Sequence, residues 1–475
     1  MDADDLCFLP AVDLLGLIRR REISPVELTE IAIARAEALQ PVLNPFATTT
    51  FALARERARE LEEELARGGP LRRLHGLPVT LKDLLFTKGI PTKAGSRLFA
   101  DRVPEVDAVV VERLRAAGAV FLGKTTTPEL GWKGCGDSPL TGISHNPWKL
   151  GFNAGGSSTG AAICAAAGIG WLHQGSDGAG SIRMPAAFCG VFGFKPSFGR
   201  VPYWPAPNND MISHIGPITR TVADAALMLE VMAGPDDRDP TSLDAAPEAY
   251  LARLEADMAG KKIAFSPDLG YLRVDPEIRA IVERAVSAFE EMGAVVEPVD
   301  RPWPDPWEAE RCFYAANYAG NLGPLLDARA DEMDPGLVAC ARDGLRYTAA
   351  DWVRAKQLRA ELYDAVRALF ERFDFLVTPT LSVAAFEAGR LFPPHWEERG
   401  WEWHHWAGFC YPFNLTWVPA ATCPCGFTAD GLPVGLQIVG GRHRDLEVLR
   451  AARAFERARP WAGHKPPLAL ASGTG

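Results

Sequence analysis

The sequence predicts an α/β fold in which helices cover both faces of a mostly parallel sheet. Short apolar runs alternate with longer amphipathic runs along most of the chain, as in folds built from repeated strand–helix units. The 475 residues are 47% hydrophobic, so the chain can bury a large core without disulfides or structural metals. No repeat and no low-complexity linker interrupts it, and we expect a single domain over residues 1–475.

The expected elements begin with helices over residues 10–40. One of these helices starts with a capping box formed by Ser24 and Glu27, with Pro25 at its first position. Further helices are expected at 51–67, 107–118, 158–168, 221–233, 276–292, 349–373 and 444–459. Strands are expected at 77–81, 119–123, 191–195, 261–266, 295–299, 375–379 and 432–440. Residues 300–350 are irregular, and we expect them to form a helical insertion over the active face.

The charge and the cysteine content exclude several classes of protein. A net charge of −10 and the lack of long basic runs argue against nucleic acid or an anionic membrane as the main partner. The acidic N-terminus does not resemble a secretory signal, and no apolar run is long enough to span a membrane. Nine scattered cysteines without metal-ligand spacing predict reduced thiols, a cytoplasmic location and no bound metal.

Two sequence patterns match known motifs but lack the structural context that those motifs require. Residues 118–125 satisfy the P-loop expression, yet the residues between the glycines are Ala, Val, Phe and Leu, which predict a buried strand. Residues 156–160 satisfy the nucleophile-elbow expression GxSxG, but a loop-forming segment precedes Ser157 where the elbow needs a strand. We therefore favour a strand and a loop at these two places.

A third constellation consists of Lys82, Ser157 and Ser181. Lys82 directly follows an apolar strand, and Ser181 follows a run of small residues whose N–H groups could converge on an oxyanion. A serine next to a base is a recurring device of covalent catalysis. Structural alternatives exist for each residue: Ser157 could cap a helix, the glycine-rich loop could be a simple turn, and the lysine could be solvated. The residues alone leave both interpretations open.

Five motifs, in this order, resemble those of the amidase signature family. They are GLPVTLKD (76–83), GGSSTGAAICAAAG (155–168), GSDGAGSIRMPAAFCGVFGFKPSFGRVP (175–202), IGPITRTVADAA (215–226) and CPCGFTADGLPVGLQIVGGRHRD (423–445). The resemblance extends from about residue 10 to 460, with core motifs at about 70–235 and a sheet-completing part at about 374–460. It implies one large α/β/α domain around a central mixed, twisted sheet.

The resemblance also implies roles for the constellation. Ser181 would be the nucleophile, Ser157 a serine that follows a cis peptide bond and relays the proton, and Lys82 the base. The oxyanion would be held by the N–H groups of Gly178, Ala179, Gly180 and Ser181. No metal or cofactor would be required. This lysine can accept a proton only when neutral, so burial must lower its pKa.

Supporting roles fall to neighbouring residues. Asp177 and Arg183 could pair to brace the nucleophile loop, and Ser158 could form hydrogen bonds within it. The chain departs from the family pattern at two places: the family commonly has Gly or Thr where this chain has Gly178 or Ala179, and Gly where it has Thr159. Neither departure removes a catalytic group, and Thr159 implies a backbone conformation that is not left-handed.

The resemblance implies hydrolysis of a small-molecule amide by a monomer or homodimer. Gly131 and Trp132 are candidate substrate contacts, and the aromatic segment 395–406 is either a lid or a loop packed on itself. The thirteen tryptophans favour a hydrophobic or aryl amide, with esters and carbamates as further candidates. The sequence leaves open whether Cys135 and Cys312 reach the pocket.

Two alternative functions stay open at this point. One is the glutaminase component of a tRNA-dependent amidotransferase, although residues 202–217 differ from the corresponding region of that component. The other is a non-catalytic binding protein on the same fold.

Overall fold

An eleven-stranded mixed sheet forms the centre of the molecule. The structure, a computed structural model, describes residues 2–205 and 211–468; residues 206–210, part of the segment 202–217, lie outside this description. The strands are β1 (Phe46–Thr49), β2 (Pro78–Lys82), β3 (Val120–Thr125), β4 (Asp137–Ser138), β5 (Gly142–Ile143), β6 (His145–Asn146), β7 (Lys149–Asn153), β8 (Leu172–Asp177), β9 (Phe192–Lys195), β10 (His214–Thr219), β11 (Lys262–Phe265), β12 (Val295–Pro298), β13 (Phe375–Pro379), β14 (Ala420–Phe427) and β15 (Pro433–Gly440).

The helices are interspersed with these strands along the chain. They are α1 (Ala3–Phe8), α2 (Ala11–Arg19), α3 (Pro25–Leu43), α4 (Phe51–Ala66), α5 (Val109–Ala116), α6 (Thr159–Ala167), α7 (Arg183–Cys189), α8 (Val222–Met232), α9 (Pro276–Glu291), α10 (Trp307–Leu322), α11 (Leu326–Arg329), α12 (Pro335–Gly344), α13 (Ala349–Arg372), α14 (Pro412–Leu415) and α15 (Asp445–Ala458). The predicted capping box is confirmed: the Glu27 N–H donates to Ser24 Oγ at 3.1 Å, and the Ser24 N–H donates to the Glu27 carboxylate.

The sheet is mixed, so the prediction of a mostly parallel sheet from the alternation is wrong and the mixed sheet that the resemblance implied is confirmed. Its order is β1-β3-β2-β8-β10-β9-β14-β15-β13-β11-β12. Parallel pairs join β2 to β3 and β8, and β11 to β12 and β13; the remaining neighbours are antiparallel. The alternation overestimated the share of parallel strand pairs because four strands were not predicted. These strands, β1, β8, β10 and β14, carry polar residues, glycine or proline.

Helices pack on both faces of this sheet and bury two hydrophobic clusters. Strand β13 shows the division, because Phe375 and Val377 join one cluster while Leu376 between them joins the other. Successive side chains of a strand point to opposite faces, so the two clusters lie on opposite sides. Helices α10 and α12 pack together in the second cluster, which confirms the predicted helical character of residues 300–350.

The edge of the sheet that carries the site is formed by the ends of β2 and β8. These strands are parallel, so Lys82 and Asp177, their last residues, lie at the same edge. The loop that contains Ser181 follows β8 directly, and the segment before α6 carries Ser157. No helix in the described part of the chain is long and apolar enough to cross a membrane.

Candidate active site

Lys82 is fully buried at the end of β2, where its ammonium group meets hydroxyl groups instead of a carboxylate. Its Nζ lies 2.7 Å from Ser157 Oγ, 3.0 Å from Ser158 Oγ and 3.1 Å from Ser176 Oγ. Burial lowers the pKa of Lys82 to about 7, although the charge of Asp177 acts in the opposite direction. Near neutral pH, a large fraction of this lysine is therefore an uncharged amine that can accept a proton.

Ser157 and Ser158 stand side by side but differ in their contacts. The Gly156–Ser157 peptide bond is cis, as the resemblance implied. Ser158 donates to the Ser176 carbonyl at 3.1 Å and accepts the Ser176 N–H at 3.2 Å, so it ties the start of α6 to β8. Ser176, which sequence reasoning missed because β8 was not predicted, thus helps to hold Lys82.

Ser181 lies in the loop between β8 and α7 and faces the same cavity as Ser157. The N–H groups of Gly178, Ala179 and Ser181 have no acceptor within residues 2–205 and 211–468. The Gly180 N–H differs, because it donates to Asp177 Oδ1 at 2.7 Å. Three of the four expected oxyanion donors are therefore free, whereas the fourth is engaged in bracing the loop.

Asp177 and Arg183 form a fully buried ion pair under this loop. The guanidinium donates to both carboxylate oxygens, at 3.0 and 2.9 Å. Burial alone would raise the pKa of Asp177, but Arg183 holds it well below its usual range. The predicted pairing of these two residues is present, and it fixes the backbone that carries Ser181.

Two residues far along the chain complete this bracing and were missed from the sequence. Asn414 accepts from Arg183 at 2.6 Å and donates to the Asp177 carboxylate at 2.9 Å, while Gln437 accepts from Arg183 at 2.8 Å. Gln437 is the polar residue inside the apolar run of β15, which is a signal that the sequence offered. Asn414 belongs to a sequon-like triplet and gave no such signal.

The catalytic cavity, which we define by Ser157, Ser181 and the residues around them, is narrow. Its volume is ≈ 20 Å³, which is room for about one water molecule. Its remaining lining comprises Leu84, Leu130, Gly131, Ser176, Gly178, Ala179, Tyr203, Ser213 and Tyr314.

A second cavity adjoins the catalytic cavity. This side chamber has a volume of ≈ 240 Å³ and shares Leu84, Leu130 and Tyr203 with it. Most of its other lining is apolar, and Phe86 and Phe99 form part of the wall.

Of the two candidate substrate contacts, Gly131 lines the catalytic cavity and Trp132 does not. The Trp132 indole is buried, and a Cβ on Gly336 would come within 2.3 Å of it, so the ring packs against the backbone of α12. The thiols of Cys135 and Cys312 are buried but belong to neither cavity.

The aromatic segment 395–406 packs on the loop that carries Trp132. The Trp403 indole N–H donates to the Trp132 carbonyl at 2.9 Å, and the rings of Trp403 and Trp406 lie against Gly134. Trp401, Trp403 and Trp406 are all buried. The segment is thus a folded wall behind the catalytic cavity in this structure, and its role as a lid stays a prediction.

Within this wall, the buried imidazole of His404 faces the buried carboxyl group of Glu310 in α10. His404 Nε2 is 3.8 Å from Glu310 Oε1, and neither side chain has a hydrogen-bond partner in the part of the chain that the structure describes. The His404 ring stacks on Trp403 and meets Tyr314 edge-on. Burial raises the pKa of Glu310 and lowers that of His404, so it favours the neutral forms.

Lys124, from the P-loop-like pattern, is the lysine of a buried strand. It lies in β3, and its ammonium group donates to the Leu85 carbonyl and to the hydroxyl groups of Thr87 and Thr92. The residues before it form the strand that the sequence predicted. Its pKa is about 7 as well, lowered by burial and raised in part by Asp83.

Comparisons with known proteins identify the family of this chain. A sequence profile of the amidase family matches residues 27–449. An acylamidase of Rhodococcus erythropolis is 42% identical over 99% of each chain, and the A component of the glutamyl-tRNA(Gln) amidotransferase of Moorella thermoacetica is 36% identical over 98% of this chain and 100% of its own. The crystal structure of a bacterial aryl acylamidase of the amidase signature family superposes with a TM-score of 0.89 at 32% identity, covering 97% of this chain and 99% of its own. The chain therefore belongs to the amidase signature family of amide-hydrolysing enzymes.

Proposed function

We propose that this amidase cleaves hydrophobic and aryl amides through a covalent acyl-enzyme on Ser181. The observation that carries the proposal is the 2.7 Å contact between the buried Lys82 Nζ and Ser157 Oγ, in a cavity that Ser181 also lines. A serine hydroxyl is a weak nucleophile, and a neutral lysine that receives its proton through a second serine would activate it.

Formation of the tetrahedral intermediate requires two proton transfers and one new bond. Ser181 Oγ attacks the amide carbonyl carbon, its proton passes to Ser157 Oγ, and the Ser157 proton passes to the neutral Lys82 amine. The carbonyl oxygen becomes an oxyanion, for which the free N–H groups of Gly178, Ala179 and Ser181 are the available donors. Because Gly180 already donates to Asp177, its contribution is to hold the loop in shape.

The intermediate then collapses with the same protons moving in reverse. Lys82 returns a proton through Ser157 to the departing nitrogen, and the C–N bond breaks to leave an acyl ester on Ser181. A water molecule, activated by the same relay, attacks that ester and releases the acid.

The preference for hydrophobic amides rests on the side chamber. Apolar residues such as Leu84 and Phe99 line most of it, and three of its wall residues belong to the catalytic cavity. An apolar cavity of about 150 Å³ can hold benzene, so a chamber of ≈ 240 Å³ has room for an aryl or alkyl substituent. The similarity to an acylamidase and an aryl acylamidase supports the same substrate class.

The amidotransferase component is the second candidate, favoured by the 36% identity to the Moorella protein. It would need a polar glutamine pocket and partner proteins, whereas the side chamber is largely apolar. We further propose that the enzyme works in the cytoplasm as a monomer or homodimer, since all nine cysteines are free thiols.

A substrate panel with acyl-enzyme trapping tests the proposal. The purified enzyme is offered anilides, short aliphatic amides, glutamine, esters and carbamates, and acid-quenched samples are analysed by mass spectrometry. We expect turnover of anilides and an acyl adduct on the peptide that contains Ser181, with neither in Ser181→Ala. Glutamine turnover that depends on a co-purified partner would favour the amidotransferase, and the absence of both turnover and adduct would contradict the proposal.

A further inference from the structure

Arg102 is a charged residue in the otherwise largely apolar wall of the side chamber. It has no carboxylate partner within 4 Å in the described ranges 2–205 and 211–468, unlike most arginines of this chain that carry a nearby acid. Its Nε donates to the Thr92 carbonyl at 2.7 Å, while its two terminal nitrogens have no acceptor among the same residues. Four N–H bonds of this guanidinium are thus available to a ligand.

Two aromatic rings and a backbone carbonyl hold the guanidinium in place and leave its two terminal nitrogens without an acceptor among the described residues. Its plane lies over the rings of Phe86 and Phe99, at 5.0 and 4.4 Å from their centroids. The backbones of Arg102 and Thr92 are also joined, because the Thr92 N–H donates to the Arg102 carbonyl at 3.0 Å. A positioned, half-buried guanidinium is well suited to recognise a planar carboxylate, since it can donate two parallel hydrogen bonds.

The nearest competing anion is already engaged elsewhere. Asp83 accepts the backbone N–H of Lys93 at 3.1 Å and acts on Arg102 only through its longer-range charge. The acidic residues close to Arg102 in sequence, Asp101, Glu105 and Asp107, form no ion pair with it. The positive charge in the chamber is therefore not neutralised by direct contact.

We propose that the side chamber binds a substituent of the substrate that ends in a carboxylate, and that Arg102 is the residue that recognises this carboxylate. The inference rests on the proposed function, because it takes the chamber as the place where one substituent of the scissile amide lies. Apolar walls next to the catalytic cavity would hold the carbon chain or ring of that substituent. The enzyme would then prefer an amide with a distal carboxylate to its uncharged counterpart.

Matched pairs of substrates test this preference. One pair places the carboxylate on the acyl side (adipic acid monoanilide against hexananilide), and the other places it on the amine side (4-acetamidobenzoate against acetanilide). For at least one pair we expect a higher kcat/KM for the acid, and in Arg102→Gln a fall of about 10- to 100-fold for the acid alone. Arg102→Lys keeps the charge and should lose less. Arg97→Gln is the control, because Arg97 is an exposed neighbour outside both cavities.

A binding measurement separates this inference from the proposed function. Ser181→Ala is titrated calorimetrically with 4-phenylbutyrate and with 4-phenylbutanamide, with and without Arg102→Gln. We expect Arg102→Gln to weaken binding of the acid about tenfold or more and to leave the amide unchanged. If the acid binds through Arg102 but no amide is cleaved, the proposed function fails and the carboxylate site stands. If amides are cleaved while Arg102→Gln affects acids and neutral compounds equally, the carboxylate site is refuted and the proposed function stands.

Discussion

Lys82 and Lys124 lie in neighbouring parallel strands, and both are fully buried, yet only Lys82 contacts residues that line the catalytic cavity. In the register of β2 and β3, Leu81 pairs with Lys124 and Lys82 pairs with Thr125. Burial lowers the pKa of each lysine to about 7. A lowered lysine pKa therefore follows from burial alone and does not identify a base.

The partners of the two lysines make the difference. Lys82 contacts three serine hydroxyl groups, two of which belong to residues that line the cavity with Ser181. Lys124 donates to a carbonyl and two threonine hydroxyl groups that hold the loop after β2, and none of these three partner residues lines the catalytic cavity. We infer a catalytic role for Lys82 and a structural role for Lys124.

The largest effect is expected when each lysine is replaced by methionine. Lys82→Met removes the proton acceptor, and we expect kcat/KM for an anilide to fall by about 10³-fold, within the range for loss of a general base. Lys124→Met is the matched control from the neighbouring strand and should change kcat/KM only a few-fold. Similar losses in the two variants, measured by steady-state kinetics on folded protein, would remove the distinction.

The pH dependence of the rate should come from Lys82 and not from Lys124. The protonated amine cannot accept a proton, so kcat/KM should rise about tenfold per pH unit below pH 7 and level off above it. At pH 5.5 the rate should be about 30-fold below the plateau. Lys124→Met should keep this profile. A flat profile between pH 5.5 and 8.5 would exclude Lys82 as the titrating base.

The pH dependence of the free energy of unfolding, in contrast, should depend on both lysines. Each has a folded pKa below its unfolded value, so between pH 7 and about 10 the unfolded state binds more protons and the free energy of unfolding rises with pH. Each lysine contributes a slope of about 1.4 kcal/mol per pH unit in this window. Urea unfolding of Lys124→Met should show the slope reduced by that amount; an unchanged slope would mean that Lys124 is not buried as a neutral amine.

Glu310 extends the comparison to a buried acid with no hydrogen-bond partner among the described residues, and the smallest effect is expected there. Its folded pKa is raised above the unfolded value, so stability falls as pH rises from about 4.5 to the folded pKa. Glu310→Gln is neutral at every pH and should abolish this fall, so the stability of the variant relative to the wild type should be greater at pH 8 than at pH 5. Urea unfolding at pH 5 and pH 8 measures the difference; equal stabilities of the two proteins at both pH values would argue against a buried, proton-holding Glu310.

The sequence predicted the local parts of the site better than its assembly. Lys82, Ser157 and Ser181 lie in short motifs whose residues also determine their own strand or loop, so each could be recognised locally. Asn414 and Gln437 brace the Ser181 loop from more than 200 residues away, and only tertiary structure brings them there. Their proximity to the Ser181 loop could not be predicted from hydrophobic periodicity.

The differences between the predictions and the structure have a similar origin. The hairpin of β14 and β15 was missed because β14 contains Cys, Pro and Gly, and the sheet therefore appeared more parallel than it is. Trp132 was expected at the substrate, but the absence of a side chain on Gly336 lets its ring pack against α12 instead. The engagement of the Gly180 N–H by Asp177 depends on side-chain geometry that no spacing reveals.

The rate at which a fluorophosphonate labels Ser181 tests the central claim most directly. Wild type, Lys82→Met and Lys124→Met are treated at pH 8, and the modified peptide is quantified by mass spectrometry over time. We expect rapid labelling of Ser181 in wild type and Lys124→Met, and labelling at least about 100-fold slower in Lys82→Met. Equal labelling rates in the three proteins, or labelling at a residue other than Ser181, would contradict the account.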